Sequence, residues 1–266
     1  MAFFILIVLG LGFGSFVNAF TWRLHEKKNF VTDRSQCEDC GHTLAPKDLI
    51  PIISWLMLRG TCRYCNARIS WQNPAVEGVV ALLFVVSYIY WPFDLTTWQA
   101  WGSFALWLVY IVALAALFVY DVRWMLLPNA VILPLIGLAC IDAALRVSLQ
   151  PGPFALQIVE YAGFGAAALG GTYLLLYMLS KGRWVGFGDV KLGLFMGIVL
   201  GWQLALLTLF LANMLAFIVV LPGLVSKKLS RQSKVPFGPF LIVGFIVAGV
   251  WGNYLINWYL SWVLLQ

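Results

Sequence analysis

Charge is scarce in this chain. Of 266 residues, 17 are Lys or Arg and 11 are Asp or Glu, so 11% are charged against 62% hydrophobic. With a mean hydropathy of +0.89, the composition excludes a soluble domain of this length, which has no means of hiding so much apolar surface. A net charge of +6 would suggest acidic partners in a soluble protein, but here the placement of the cations explains it, and nucleic acid is not an expected partner. The marks of a cleaved export signal are missing too. Met1–Phe20 is apolar, yet it has no basic stretch before it and no small-residue cleavage site, so it reads as a retained first span. No clear internal repeat is visible. Cysteine is limited to five residues, four of them in two C-x-x-C pairs, which points to metal or thiol chemistry and away from a secreted disulfide framework.

Long apolar runs are what remains. They fall at roughly 2–21, 75–93, 99–120, 129–147, 154–180, 189–201, 202–225 and 237–263, and they predict an all-α polytopic membrane protein of about eight transmembrane helices. The sixth is short and is separated from the seventh only by Gly201-Trp202. The division expected is a first transmembrane helix over 1–21, a small cytoplasmic metal-binding region over 22–74, and a transmembrane catalytic region over 75–266. About fifty residues are too few for a secure apolar core, and regions of that size are often stapled by a metal.

The cations set the orientation. Arg23, Lys27, Lys28, Arg34, Lys47, Arg59, Arg63 and Arg68 lie between the first two spans. Arg123 lies in the third-to-fourth loop, Lys181, Arg183 and Lys191 in the fifth-to-sixth region, and Lys227, Lys228, Arg231 and Lys234 before the last span. Eight spans with both termini outside place 16 of the 17 on the cytoplasmic side, leaving only Arg146 on the other. The same count places Asp121 and Asp189 at one membrane boundary.

Those two acids are the first candidate site. Ionisable groups at membrane depth are costly and are usually retained for function. Asp121 follows Leu117-Phe118-Val119-Tyr120, and Asp189 closes Gly186-Phe187-Gly188-Asp189. Each has a plainer reading. Asp121 would cap a loop and pair with Arg123, and Asp189 would cap a helix and favour its dipole. Taken as a pair, they share a proton, so one carboxylate can deprotonate a water while the other polarises a carbonyl. Gly186 and Gly188 remove side chains nearby. Pro236-Phe237-Gly238-Pro239 frees backbone groups at the same face, which is tolerated beside a wet cavity, although it also reads as a simple helix start. Asp142 and Glu160 lie near Arg146 and read as an interfacial cluster. Glu77 reads as a helix-start acid or part of a cytoplasmic site.

The second candidate site is Cys37-Glu38-Asp39-Cys40 with Cys62-Arg63-Tyr64-Cys65, two knuckles separated by twenty-one residues. This spacing suits four thiolates around one structural zinc ion; a redox dithiol or no metal are the alternatives. Cys140, inside the fourth span, reads as a packed apolar residue.

These motifs, in this order, resemble the prepilin peptidases (type IV leader peptidases), relatives of the GxGD intramembrane aspartic proteases. The resemblance runs nearly end to end. It takes in Gly14-Ser15-Phe16-Val17-Asn18 with Arg23, the four cysteines, and Leu58-Arg59-Gly60-Thr61-Cys62-Arg63-Tyr64-Cys65 followed by Ile69-Ser70 and Pro74-Ala75-Val76-Glu77. It continues through Asp121 with Leu127-Pro128-Asn129 and Pro134, then Gly186-Phe187-Gly188-Asp189-Val190-Lys191-Leu192 with Gly201-Trp202, and ends at Pro236-Phe237-Gly238-Pro239. Asn129 stands where the family often has Asp, and Glu38-Asp39 where it often has proline.

The resemblance implies an aspartic endopeptidase of the bacterial cytoplasmic (inner) membrane. It would cleave the basic leader from prepilins or pseudopilins, typically between glycine and phenylalanine. Asp121 and Asp189 would be catalytic, with Gly186, Gly188, Lys191, Pro236, Phe237, Gly238 and Pro239 supporting the site, and Cys37, Cys40, Cys62 and Cys65 would hold zinc. It also implies methylation of the new N-terminal amine by S-adenosylmethionine. The sequence itself offers no glycine-rich nucleotide loop of the usual form in 22–74, so the methyl-donor site is not assigned. Membrane lipid and the prepilin substrate are the expected partners. The rival readings are a proton-coupled transporter using the two Asp as a relay, and a non-catalytic zinc-bearing scaffold.

Overall fold

Lipid offers no hydrogen-bond partners, so backbone groups that face it must be satisfied within their own segment, and helix is the solution open to a chain this apolar. The computed structural model describes residues 1–29, 34–92, 94–149, 153–227 and 235–264. Lys228, Arg231 and Lys234, used above to orient the chain, lie outside the described residues. Among the described residues the elements are α1 (Ala2–His25), α2 (Ile53–Met57), α3 (Gln72–Ile89), α4 (Trp98–Trp124), α5 (Asn129–Leu149), α6 (Pro153–Ala166), α7 (Thr172–Ser180), α8 (Phe187–Val225) and α9 (Gly238–Leu264). A 3-10 turn covers Pro46–Asp48, a π-helical turn over Ala167–Gly171 joins α6 to α7, and two isolated β-bridges are the only extended pairing among the described residues.

Among the described residues, seven helical stretches are long and apolar enough to cross a membrane. The expected sixth and seventh spans are not separate elements. They run together as the 39-residue α8, which is broken at Gly201, where φ is 75° and ψ is 174°. A straight helix of that length would measure about 58 Å at 1.5 Å per residue, close to twice the roughly 30 Å apolar core of a bilayer. The break at Gly201 divides it into two arms that match the expected pair, so the eight apolar segments persist. The third expected span also continues past residue 120, which places Asp121 inside α4.

The chain forms two compact units, Met1–Val119 and Tyr120–Gln266, divided within α4. In the first, α1 packs along α3. A Cβ on Gly10 would lie 2.5 Å from the Ala81 Cα, and one on Gly14 would collide with the Glu77 Cα, so bare backbone lets these helices approach closely. In the second, α8 packs against α5, α6 and α9. Gly165 and Gly197 meet backbone to backbone, and a Cβ on Gly165 would also sit 2.7 Å from the Gly201 carbonyl carbon. Phe195 stacks on Phe245 at 5.7 Å in the buried centre. Large apolar residues such as Phe210 and Phe217 stay exposed, as suits a lipid-facing surface.

Overpacking the glycine contact is expected to destabilise the second unit. Gly197→Val should cost about 1–3 kcal/mol and lower the melting temperature in detergent by several degrees. Gly137→Val, where a Cβ meets nothing within 4 Å, should leave it unchanged. Equal melting temperatures for the two variants would refute close helix packing at Gly197.

Candidate active site

The two acids singled out from the sequence come together in the second unit. Asp121 lies one turn before the end of α4 and Asp189 in the first turn of α8. Both are buried, at 5% and 8% exposure, and their carboxyl groups are close enough to interact electrostatically. Asp189 is not the N-cap of its helix. Gly186 is, with extended backbone, and Asp189 Oδ2 accepts the Gly186 N–H at 3.2 Å three residues later. A carboxylate there also meets the positive end of the α8 dipole. Asp121 accepts a hydrogen bond from the Gly238 backbone N–H.

Gly238 is where the late Pro-Phe-Gly-Pro break reaches the site. A Cβ there would lie 2.5 Å from Asp121 Oδ2, so only glycine lets this amide approach the carboxylate. Pro239 occupies the first turn of α9, a position with no hydrogen-bond role for its missing N–H. Phe237 rests on Tyr173 at 5.6 Å and on Phe240 at 6.2 Å. At Gly188 the missing side chain makes room for a neighbour of another kind, because a Cβ there would meet the Leu127 side chain at 2.9 Å. Gly186 is different: a Cβ would sit at an ordinary 3.5 Å from Asp189 Oδ2, so space beside the acid does not demand glycine. Lys191 lies over the Phe187 ring at 4.9 Å and donates from Nζ to Asn129 Oδ1 at 2.7 Å, which ties the start of α8 to the start of α5.

Tyr173 is a member of this neighbourhood that motif reading missed. It is 2% exposed, it is in electrostatic contact with Asp189, and its hydroxyl has no hydrogen bond of ordinary geometry. The nearby Asn213 amide donates instead to the Leu209 carbonyl at 2.7 Å. Only the periodicity of a long apolar run surrounds Tyr173 in sequence, and that carries no signal of a site.

The four cysteines form the second cluster, in the first unit. Their Sγ atoms all lie within 4.8 Å of one another, and Cys37 and Cys65 are 3.9 Å apart. Tetrahedral zinc at about 2.3 Å from each sulfur spaces the sulfurs about 3.8 Å apart, so the residues fit such an ion. The two knuckles are built alike. The Cys37 N–H donates to the His42 carbonyl at 3.0 Å and the Cys62 N–H to the Ala67 carbonyl at 2.8 Å, while Gly41 and Asn66 turn through positive φ four residues after each first cysteine. Amide donors mark the sulfurs as thiolate sites. The Tyr64 N–H foremost, opposed by desolvation, brings Cys62 down to about 7. At Cys65 an amide from Ala67 is outweighed by desolvation and the neighbouring thiols, and the group is pushed up to about 12. One cation among four such sulfurs removes that conflict. Around the cluster, Asp48 accepts from Arg63 Nε at 2.8 Å and from the Tyr64 hydroxyl at 3.0 Å, and the Tyr64 ring stacks on His42 at 3.7 Å. Despite desolvation, these donors hold the Asp48 carboxyl below its usual range.

Of the other acids, Asp142 pairs with Arg146 at 2.5 Å, as its sequence position suggested. Glu77 is buried and accepts the Ile52 N–H at 2.7 Å. Cys140 is exposed rather than packed.

Residues 8–91 match the bacterial peptidase A24 N-terminal domain, and residues 108–221 match the type IV leader peptidase family. A protein of Aeromonas salmonicida (strain A449) called prepilin leader peptidase/N-methyltransferase is 35% identical over 90% of this chain and 78% of its own. Proteins with the same name in Bacillus subtilis (strain 168) and Pseudomonas aeruginosa are 30% identical over 98% of both chains, and 31% identical over 96% of this chain and 92% of theirs. No solved structure matches significantly. The chain belongs to the type IV leader peptidase family. This membership does not favour the transporter alternative.

The cysteine cluster generates a direct expectation. Elemental analysis of purified protein should find about one divalent metal ion per chain, and Cys37→Ser or Cys62→Ser should abolish stoichiometric binding. Freely titrating thiols on a metal-free wild-type protein would contradict it.

Proposed function

We propose that this protein is an aspartic endopeptidase of the bacterial inner membrane that removes the leader from prepilins or pseudopilins, with Asp121 and Asp189 as the catalytic pair. The observation that carries this reading is the burial of both acids in electrostatic contact, each held by a glycine amide. Membership of the family supports it. So do the relatives' names, which record a prepilin leader peptidase joined to an N-methyltransferase.

In the proposed reaction one carboxylate takes a proton from water as the water oxygen attacks the scissile carbonyl carbon. The other, protonated, donates to the carbonyl oxygen. Collapse of the tetrahedral diol breaks the C–N bond, and a proton passes from the pair to the leaving nitrogen. The Gly186 and Gly238 amides keep the two carboxylates in place through this exchange, because each donates a hydrogen bond fixed by the backbone. The basic residues named from the sequence orient the chain with region 22–74 and both acids on the cytoplasmic side. A prepilin presents its hydrophilic leader there, directly before an apolar helix that lies in lipid. The cysteine cluster in 22–74 would hold structural zinc, while 75–266 would carry peptide hydrolysis. Methylation of the exposed amine with S-adenosylmethionine completes the proposal and rests on the relatives' second activity.

Asp121→Asn and Asp189→Asn should each reduce cleavage of a purified prepilin at least about 100-fold while the protein remains inserted. Near-normal processing by Asp189→Asn would refute the pair. Gly238→Ala should reduce kcat about tenfold or more, because its Cβ displaces Asp121. Mass spectrometry of the product N-terminus, with and without S-adenosylmethionine, reads the second reaction as a 14 Da increment, on the order of one methyl group per product.

A further inference from the structure

Glu77 is a buried acid that peptide hydrolysis leaves unused. It lies near the start of α3, 7% exposed, and accepts the Ile52 N–H at 2.7 Å and a hydrogen bond from Ser15. No cation pairs with it among the described residues. An uncompensated buried charge costs several kcal/mol, and a ligand that brings the opposite charge recovers that cost. A second acceptor faces the same seam between α1 and α3. Asn18 lies one turn after Ser15, and its Nδ2 donates at 3.0 Å to the carbonyl of Asn73, one turn before Glu77. Its Oδ1 is buried with no hydrogen-bond partner. A buried acceptor left unpaired costs about 1–3 kcal/mol. The backbone around this seam is also strained. Ile52, a β-branched residue, is held at φ 59° and ψ −49°, a conformation rarely kept without cause, and the Glu77 carboxylate holds its amide.

We propose that Glu77 and Asn18 form a site for a primary ammonium group, and that its ligand is the N-terminal amine uncovered when the leader is cut. Two acceptor oxygens, one of them anionic, describe a receptor for a group that has only N–H bonds to give. The choice of ligand rests on the methyl-transfer reading above. In that reaction Glu77 accepts one proton from the ammonium. The freed nitrogen lone pair attacks the S-methyl carbon of S-adenosylmethionine, and the C–S bond breaks with its electrons passing to sulfur. S-adenosylhomocysteine leaves, and the product is a secondary ammonium bearing the methyl group. Glu77 is thus a catalytic residue of methyl transfer, and Asn18 positions the amine.

The test uses the full chain in detergent and two synthetic peptides, each beginning with phenylalanine followed by an apolar segment, one with a free amine and one N-acetylated. Wild-type protein without S-adenosylmethionine should bind the free-amine peptide about tenfold more tightly. Glu77→Gln, which keeps an acceptor for Ile52, should lose that preference and methylate at least about 30-fold more slowly, with zinc content and melting temperature near wild type. Equal binding of the two peptides by the wild type, or methylation by Glu77→Gln within twofold of wild type, would overturn the site. Should Glu77→Gln fail to fold, Asn18→Ala carries the test: loss of the free-amine preference supports the site and an unchanged preference overturns it. A wild-type protein that prefers the free amine yet never methylates it refutes the methyl-transfer reading and the ligand named here, while the ammonium site stands.

Discussion

The structure depends on one electrostatic constraint: carboxylates are being kept inside helices whose surroundings are apolar. Asp121 and Asp189 are buried, and each has a backbone amide as its hydrogen-bond donor, from Gly238 and Gly186. An amide is a donor that cannot rotate away or lose its proton, so it fixes a carboxylate without neutralising it. A lysine in either place would bind the acid as an ion pair and hold it charged. Lys191, two residues beyond Asp189, is instead engaged with Asn129 and the Phe187 ring.

Helix geometry meets that constraint through its ends and breaks, because an interior turn has no free amides to give. The N-cap of α8 and the first turn of α9 supply the donors, and at Gly238 the missing side chain allows the approach. Backbone-to-backbone contact at Gly165 and Gly197 then holds the α6–α8 packing close, and α8 is the element that carries Asp189. Small residues thus act at two levels, in the packing of helices and at the acids themselves. Both uses rest on a missing side chain, and they differ in what comes near: another backbone in one case, a carboxylate in the other.

This difference explains what was legible in the sequence. The apolar runs announced the helices, and the acids stood out against them because so little else was charged. The cysteine spacing announced its cluster, since two turns of like geometry bring four sulfurs together by local folding alone. In sequence Gly201 stands as a boundary between two spans, and in the structure it is a break within one element, because hydropathy registers a turn only when polar residues mark it. Asp189 looked like a cap and is the third residue of its helix, a shift of one turn that residue type does not reveal. Tyr173 and the Gly238 amide were not legible. Their roles come from contacts between segments distant in sequence, and no local pattern encodes those.

The acids differ in what surrounds them. Asp142 has Arg146 one turn away, and Asp48 has Arg63 and Tyr64, so each is satisfied by its own neighbourhood and serves structure. Asp121, Asp189 and Glu77 are buried with backbone donors and, at Glu77, a serine, and among the described residues none has a paired cation. A carboxylate satisfied only in part retains capacity for a proton or a positively charged group that arrives from outside. Two such acids together suit hydrolysis, where the proton must pass both ways. One alone, beside an acceptor with nothing to accept, suits a group that arrives protonated and leaves with one proton fewer.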